Sequence, residues 1–242
     1  MCGLTYIRAE VTAVNRKTLL DYITKLIDLS LRRGSDALGI IIFSSDCKYE
    51  LKRSDIKKGI WNKFLANVFA KPELLGQQIT IVAHTRMATN GSTSDTNIQP
   101  ISRGSLTLAH NGILINEGWF DTELMKDGNQ KDFGDWSDTR KALHSVSLGA
   151  GGKSFDNEME CLFSKFDGAN NAILHSQENN RSYFFTTHGS LFFCQKDGLF
   201  VCGSEQIFLE SVIGITAEKY LKNSLYVLDD FILTPISGVL DT

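Results

Sequence analysis

Proline is scarce in this sequence, with three residues in 242, and no segment is of low complexity or repeats at a solenoid period. The scarcity leaves no Pro-rich linker and no boundary that composition alone could mark, so residues 1–242 read as a single domain. No window approaches the roughly 18 to 20 apolar residues of a membrane span. The opening MCGLTYIRAE has no apolar core of a signal peptide, and a cytoplasmic location is the expectation. An excess of one charge is also missing. The formal net charge is -3, with no basic cluster that would mark a nucleic-acid footprint. Lys48, Lys52, Arg53, Lys57 and Lys58 come close together, but Glu50 and Asp55 interrupt them, as on a solvated surface. The five cysteines are odd in number and scattered, without a C-x-x-C pair or zinc spacing. No Gly-rich phosphate loop occurs. These absences leave no expected metal, cofactor, membrane or nucleic acid.

What is present is ordinary for a globular chain: 42% apolar and 22% charged residues. Apolar patterning predicts a strand over 4–8, then a helix capped by Asn15 with Leu19, Leu20, Ile23, Ile27 and Leu31 on one face. LGIIIF at 38–43 reads as a buried strand. A helix is expected over 54–70, ending near Pro72. Strands follow at 79–84 and 105–109, then a helix near 118–126. Lys126 to Trp136 reads as a loop, and Ser137 or Asp138 can cap the next helix. After a helix near 155–165, apolar runs at 171–175, 182–186, 190–194 and 198–202 are spaced as in an antiparallel meander. A helix near 205–213 and two strands near 225–234 close the chain. The pattern suggests an α+β layered domain, not a parallel doubly wound sheet. Cys47, Cys161, Cys194 and Cys202 read as small buried hydrophobes.

Cys2 is set apart by its position. Methionine aminopeptidase removes an initiator that precedes a small side chain, which would leave a thiol and a free α-amine on one residue. An α-amine has a pKa near 8, so it can take the thiol's proton, and one residue then serves as nucleophile and base. VAHTRMATNG at 82–91 follows an apolar strand. Arg86 at its edge can clamp a carboxylate with a bidentate pair, or bond loop carbonyls. In LAHNGIL at 108–114, the Asn111 amide and the Gly112 N–H suit an oxyanion, although Asn-Gly is also the commonest tight hairpin turn. His110 reads as a structural hydrogen-bonding residue. Asp138 can accept from an ammonium, or serve as a helix cap. Thiol, oxyanion donors, carboxylate binder and ammonium binder together are what hydrolysis of an α-amino-acid side-chain amide requires, and glutamine is the obvious substrate.

On these residues the chain resembles the class II glutamine amidotransferase (glutaminase) domain of the N-terminal-nucleophile hydrolases. Cys2-Gly3 is similar to the processed Cys-Gly start. Arg33-Gly34-Ser35-Asp36-Ala37-Leu38-Gly39 resembles the Arg-Gly-x-Asp-x-x-Gly turn. His84-Thr85-Arg86-x-Ala88-Thr89-x-Gly91 with Asn97-x-x-Pro100 resembles the glutamine-binding loop. His110-Asn111-Gly112 is similar to the oxyanion motif, Ser137-Asp138-Thr139 to the amine-gripping segment, and Gly203-Ser204-Glu205 to a late strand-to-helix junction. The resemblance implies a four-layer αββα sandwich with two mainly antiparallel sheets. It implies Arg86 on the substrate carboxylate, Asp138 on its ammonium and Thr89 in that pocket. Asn111 and Gly112 would hold the oxyanion, and Arg33 would support the site. Met87 stands where an aromatic residue is common and Asn90 where a His is common. THGSLF at 186–191 lacks the arginine and proline often seen there.

The expected activity is release of ammonia from glutamine through a γ-glutamyl thioester. The chain ends at about the point where the glutaminase domain ends in the family, so a separate synthase is the expected acceptor. A free-standing hydrolase of γ-glutamyl amides and a catalytically silent binding module are the alternatives.

Overall fold

The computed structural model describes residues 2–45, 47–57, 59–87, 97–115, 117–126, 135–146 and 154–236. Thr89, Asn90, Gly91 and the body of the expected loop after Lys126 lie outside them. The chain begins with β1 (Gly3–Glu10), α1 (Arg16–Ser30), β2 (Ala37–Phe43), β3 (Lys48–Arg53), α2 (Ile60–Phe69) and β4 (Gln78–Arg86). It continues with β5 (Ile101–Arg103), β6 (Leu106–Asn111), α3 (Glu117–Lys126), α4 (Asp138–Val146) and α5 (Phe155–Phe163). Two hairpins follow, β7 (Asn171–Ser176) with β8 (Arg181–Thr186) and β9 (Phe192–Lys196) with β10 (Leu199–Gly203). The last elements are α6 (Gln206–Ile213), β11 (Glu218–Lys219), β12 (Ser224–Asp229) and β13 (Ile232–Pro235).

The described residues form two compact units, one from 2–87, 97–100 and 190–220, the other from 101–189 and 221–236. In the first, an antiparallel sheet runs β11-β9-β10-β1-β4-β2-β3. Helix α1 packs on β1 and β4, α2 on β3, and α6 on β9 and β10. The helical period explains the contact: Leu19, Ile23, Leu26 and Ile27 of α1 are buried with Ile7, Ile40, Ile42, Ile79 and Ile81 of the sheet. Residues on the opposite face of the same strands, such as Tyr6, Ile41 and Val82, are buried too. That is why 38–43 is continuously apolar instead of alternating.

In the second unit the antiparallel order is β13-β12-β8-β7-β6-β5. Helix α4 packs on β5 and β6 and touches α3 and α5. Its core is aromatic: Phe163 stacks on Phe185 at 4.8 Å, and Phe166 meets Phe185 edge-on at 5.7 Å. Two antiparallel sheets with their helices give the expected α+β class.

Four expectations need correction. The expected helix over 54–70 starts at Ile60, and the charged, alternating KYELKR before it is strand β3, a sheet edge whose charges discourage further pairing. The runs from 171 to 202 are not one meander. Each adjacent pair is a hairpin, but β7–β8 belongs to one sheet and β9–β10 to the other. Asn15 precedes α1 without a side-chain cap. Its Oδ1 accepts from the Thr12 N–H at 2.8 Å and its amide donates to the Glu10 carbonyl at 2.8 Å, so it closes the turn before the helix. Of the four cysteines expected inside, only Cys194 and Cys202 are buried. Cys161 is exposed because Met159, Leu162 and Phe163 take the inner face of α5, and Cys47 is half-buried.

Candidate active site

In the first unit, Cys2 sits half-buried at the mouth of β1. Arg33 and Met87 hold it. The Arg33 Nε donates to the Cys2 carbonyl at 2.7 Å, and the Met87 N–H points at Cys2 Sγ from 3.4 Å. Arg33 is itself gripped by an ion pair with Glu205. Burial pushes the Arg33 guanidinium below its ordinary value, and the neighbouring Cys2 offsets part of that. An arginine so placed stays charged at neutral pH. Glu205 opens α6, and Ser204 before it ties down the same strand. The Leu4 N–H donates to Ser204 Oγ at 2.9 Å, and the Ser204 N–H donates to the Leu4 carbonyl at 3.2 Å. The Gly203-Ser204-Glu205 junction therefore holds β1, the strand directly behind Cys2.

Gly34 explains why the Arg-Gly-x-Asp turn carries a glycine. A β-carbon there would lie 2.5 Å from both the Arg86 carbonyl carbon and the Met87 nitrogen. The turn is thus pressed flat against the end of β4, and the Asp36 N–H donates to the Arg86 carbonyl at 2.9 Å. Arg86 is the last residue of β4, half-buried and paired with Ala37. Met87, where an aromatic residue is common in the resemblance, is 48% exposed. The structure therefore brings together Cys2, Arg33 and the 86–87 backbone. Thr89 lies outside the described residues.

In the second unit, Asn111 ends β6 opposite Asn171. The hairpin reading of Asn111-Gly112 fails, because the chain leaves the sheet here and goes on to α3. Gly112 has φ +147°, and a β-carbon on it would meet Asn170 Oδ1 at 2.3 Å, the Ala169 carbonyl at 2.5 Å and His110 Nε2 at 2.9 Å. Only glycine fits there. His110 is 2% exposed, with Nε2 2.8 Å from Asn170 Oδ1 and Nδ1 3.3 Å from Thr139 Oγ1. It is structural, as the sequence suggests.

The same unit places Asp138 beside this turn. Ser137 caps α4 by accepting the Arg140 N–H at 3.3 Å, so the cap alternative for Asp138 goes to its neighbour. Asp138 Oδ2 accepts the Leu114 N–H at 3.3 Å, and Oδ1 accepts the Thr139 N–H at 2.7 Å. Its side chain remains 19% exposed, enough for a further donor to reach a carboxylate oxygen. The described residues hold no cluster of three or more His, Cys, Asp or Glu that could bind a metal ion.

Comparison with known proteins finds relatives over part of the chain. No family model matches the chain. A glutamine–fructose-6-phosphate aminotransferase (isomerizing) from Legionella pneumophila strain Paris is 35% identical over 147 residues. The match takes in 60% of this chain and 22% of that protein, so the chain spans about a fifth of the length of the curated relatives it matches. Over that stretch the chain is a homologue of glutamine–fructose-6-phosphate aminotransferase, and an amidophosphoribosyltransferase from Pasteurella multocida matches at 30% identity over 130 residues. Solved structures agree on the fold. A glutamine phosphoribosylpyrophosphate amidotransferase from B. subtilis superposes with a TM-score of 0.69 at 20% identity, covering 97% of this chain and 49% of that one. A glutamine aminotransferase class-II domain protein from Silicibacter pomeroyi gives 0.57 at 8% identity, covering 98% of both chains. These structures thus share the fold of the chain.

Sequence reasoning missed three contributors in this amidotransferase homologue. Glu205 was legible only as part of a strand-to-helix junction, because its ion pair with Arg33 spans most of the chain. The Met87 contact with Cys2 is made by backbone, so its side chain carries no signal. Asn170 left no signal either, since an Asn-Asn pair before a strand reads as an ordinary turn.

Proposed function

We propose that this chain is a glutamine amidotransferase module in which Cys2, once Met1 is removed, is the nucleophile. The observation that carries the reading is the double hold on Cys2, its carbonyl bound by Arg33 and its sulfur faced by the Met87 N–H. A residue held at both ends is preorganised for attack. The α-amine takes the thiol proton as sulfur bonds to the glutamine side-chain carbonyl carbon. Asn111 and Gly112 hold the oxyanion that forms. Its collapse breaks the C–N bond, ammonia leaves with the proton carried by the amine, and a γ-glutamyl thioester remains. Water adds to the thioester, the sulfur departs with a proton, and glutamate is released. Arg86 binds the substrate carboxylate, Asp138 binds its ammonium, and Thr89 helps form that pocket.

The ammonia goes to a synthase partner. The relatives' names support a transfer reaction, since one is a glutamine aminotransferase and the other a glutamine amidotransferase. No helix among the described residues is long and apolar enough to cross a membrane. The nucleophile needs a free thiol, and the reducing cytoplasm suits it.

The test is an intact mass after treatment with an electrophilic glutamine analogue. The expected result is loss of one methionine and gain of one adduct, abolished in Cys2→Ala. A chain that keeps Met1 and takes no label refutes the mechanism.

A further inference from the structure

Gly112 lies on a floor made by Asn170 Oδ1, the Ala169 carbonyl and His110 Nε2. Asn170 is 1% exposed, and both of its side-chain polar atoms are occupied. Its Nδ2 donates to the Asp167 carbonyl at 2.9 Å. Oδ1 is therefore the acceptor, and the His110 nitrogen 2.8 Å away must carry the hydrogen. The main chain of Asn170 is fixed as well. Its N–H donates to Thr187 Oγ1 at 2.8 Å, and its carbonyl accepts the Thr187 N–H at 3.0 Å. That rigid group occupies the space a β-carbon of Gly112 would take, with Oδ1 2.3 Å from that position and His110 Nε2 2.9 Å from it. The Gly112 backbone is thus packed closely against the Asn170 side chain.

We infer that Asn170, clamped to His110, is a positioning residue that sets where the Gly112 peptide N–H stands for the oxyanion. The inference rests on the proposed oxyanion role of Asn111 and Gly112. A donor aimed at a developing charge acts in the transition state and not in substrate binding. Its misplacement therefore lowers kcat and leaves KM alone. A merely structural asparagine would lower stability without that split.

The test measures glutamate release by the full chain with Asn170→Leu, His110→Gln, His110→Phe and Asn111→Ala. Asn170→Leu keeps the branched shape and loses the donor and acceptor, and kcat falls about 10- to 100-fold with KM within about twofold. His110→Gln can present a side-chain N–H close to the original Nε2 and recovers most of the activity lost in His110→Phe. If Asn170→Leu does not fold, the Gln and Phe pair decides by the same criterion. Nitrogen NMR of the His110 ring supplies a readout independent of catalysis, with a hydrogen on Nε2 in the native chain and a changed tautomer signature in Asn170→Leu. Loss of activity in Asn111→Ala, with Asn170→Leu at native kcat or His110→Gln equal to His110→Phe, overturns the positioning role. Unchanged kcat in Asn111→Ala instead overturns the oxyanion reading, and the NMR result still tells whether the Asn170–His110 clamp exists.

Discussion

Gly34→Ala is the sharpest perturbation that the corner around Cys2 offers, because its effect is geometric and its cause is a single methyl group. The added carbon would sit 2.5 Å from the Arg86 carbonyl carbon and the Met87 nitrogen, where ordinary contact begins at 3.4 Å, so one side must give about 0.9 Å. Both obstructing atoms are backbone, and Arg86 is tied into the β2–β4 ladder, so no side-chain rotation relieves the clash. Overpacking of this kind costs about 1–3 kcal/mol. For a chain of this size that lowers Tm by about 2–4 °C per kcal/mol. The activity loss is larger than the stability loss implies. The nitrogen that must move is the one facing Cys2 Sγ at 3.4 Å, and a displacement near 1 Å at a reacting group costs about 10²-fold. The assay is glutamate release at saturating glutamine, alongside thermal unfolding, with Ser35→Ala as control, since Ser35 is exposed in the same turn. Native kcat in a Gly34→Ala protein whose Tm has fallen would refute the reasoning, for the turn would then support the fold and not the nucleophile.

Glu205→Gln keeps the shape of the Arg33 partner and removes its charge. Alkylation of Cys2 by the glutamine analogue slows by about tenfold if a displacement of a few tenths of an ångström follows, and an unchanged rate would free Glu205 of any role in holding the nucleophile. Tyr183→Phe deletes a 2.6 Å bond from the buried hydroxyl to Asp156 Oδ1. Denaturant unfolding should show a loss of about 1–3 kcal/mol, with glutamine turnover unaltered. Alkaline stability follows from the buried thiols. Burial raises Cys194 from 9.0 to about 11, so between those values the unfolded chain loses a proton that the folded chain keeps. The stabilisation is complete below pH 9 and disappears as pH rises toward 11. Urea midpoints at pH 8 and 10.5 should show a smaller fall in Cys194→Val than in the native chain, and equal falls would assign the loss to other groups.

Residues chosen for their chemistry were legible in the sequence, and residues chosen for their partners were not. Cys2, Arg86, Asn111, Gly112 and Asp138 stand out because thiol, guanidinium, amide and carboxylate at strand ends are few and each does one recognisable thing. The α+β class was legible for a similar reason: helical and strand periods are local properties. The hairpins β7–β8 and β9–β10 show where local reading stops. Turn spacing marks each hairpin, but nothing within residues 171–202 says that β7 will pair with β6 while β10 pairs with β1. That choice is made by strands far away in the chain.

The glycines of the motifs lie between these two kinds of information. Each is visible as a residue, yet its reason is a distant neighbour: the Arg86–Met87 backbone for Gly34, and Asn170 for Gly112. Asn170 reaches His110 across 60 residues of sequence, and the Met87 N–H reaches Cys2 across 85. A motif glycine therefore announces that some backbone passes close, without naming which. The coordinates name it, and in both cases the neighbour is a group that positions proposed reacting atoms. Close packing at these glycines thus has a consequence beyond stability. On the proposed roles, it transmits the placement of a remote group to the Cys2 sulfur or to an oxyanion donor, so substitutions beneath them should cost rate more than they cost folding.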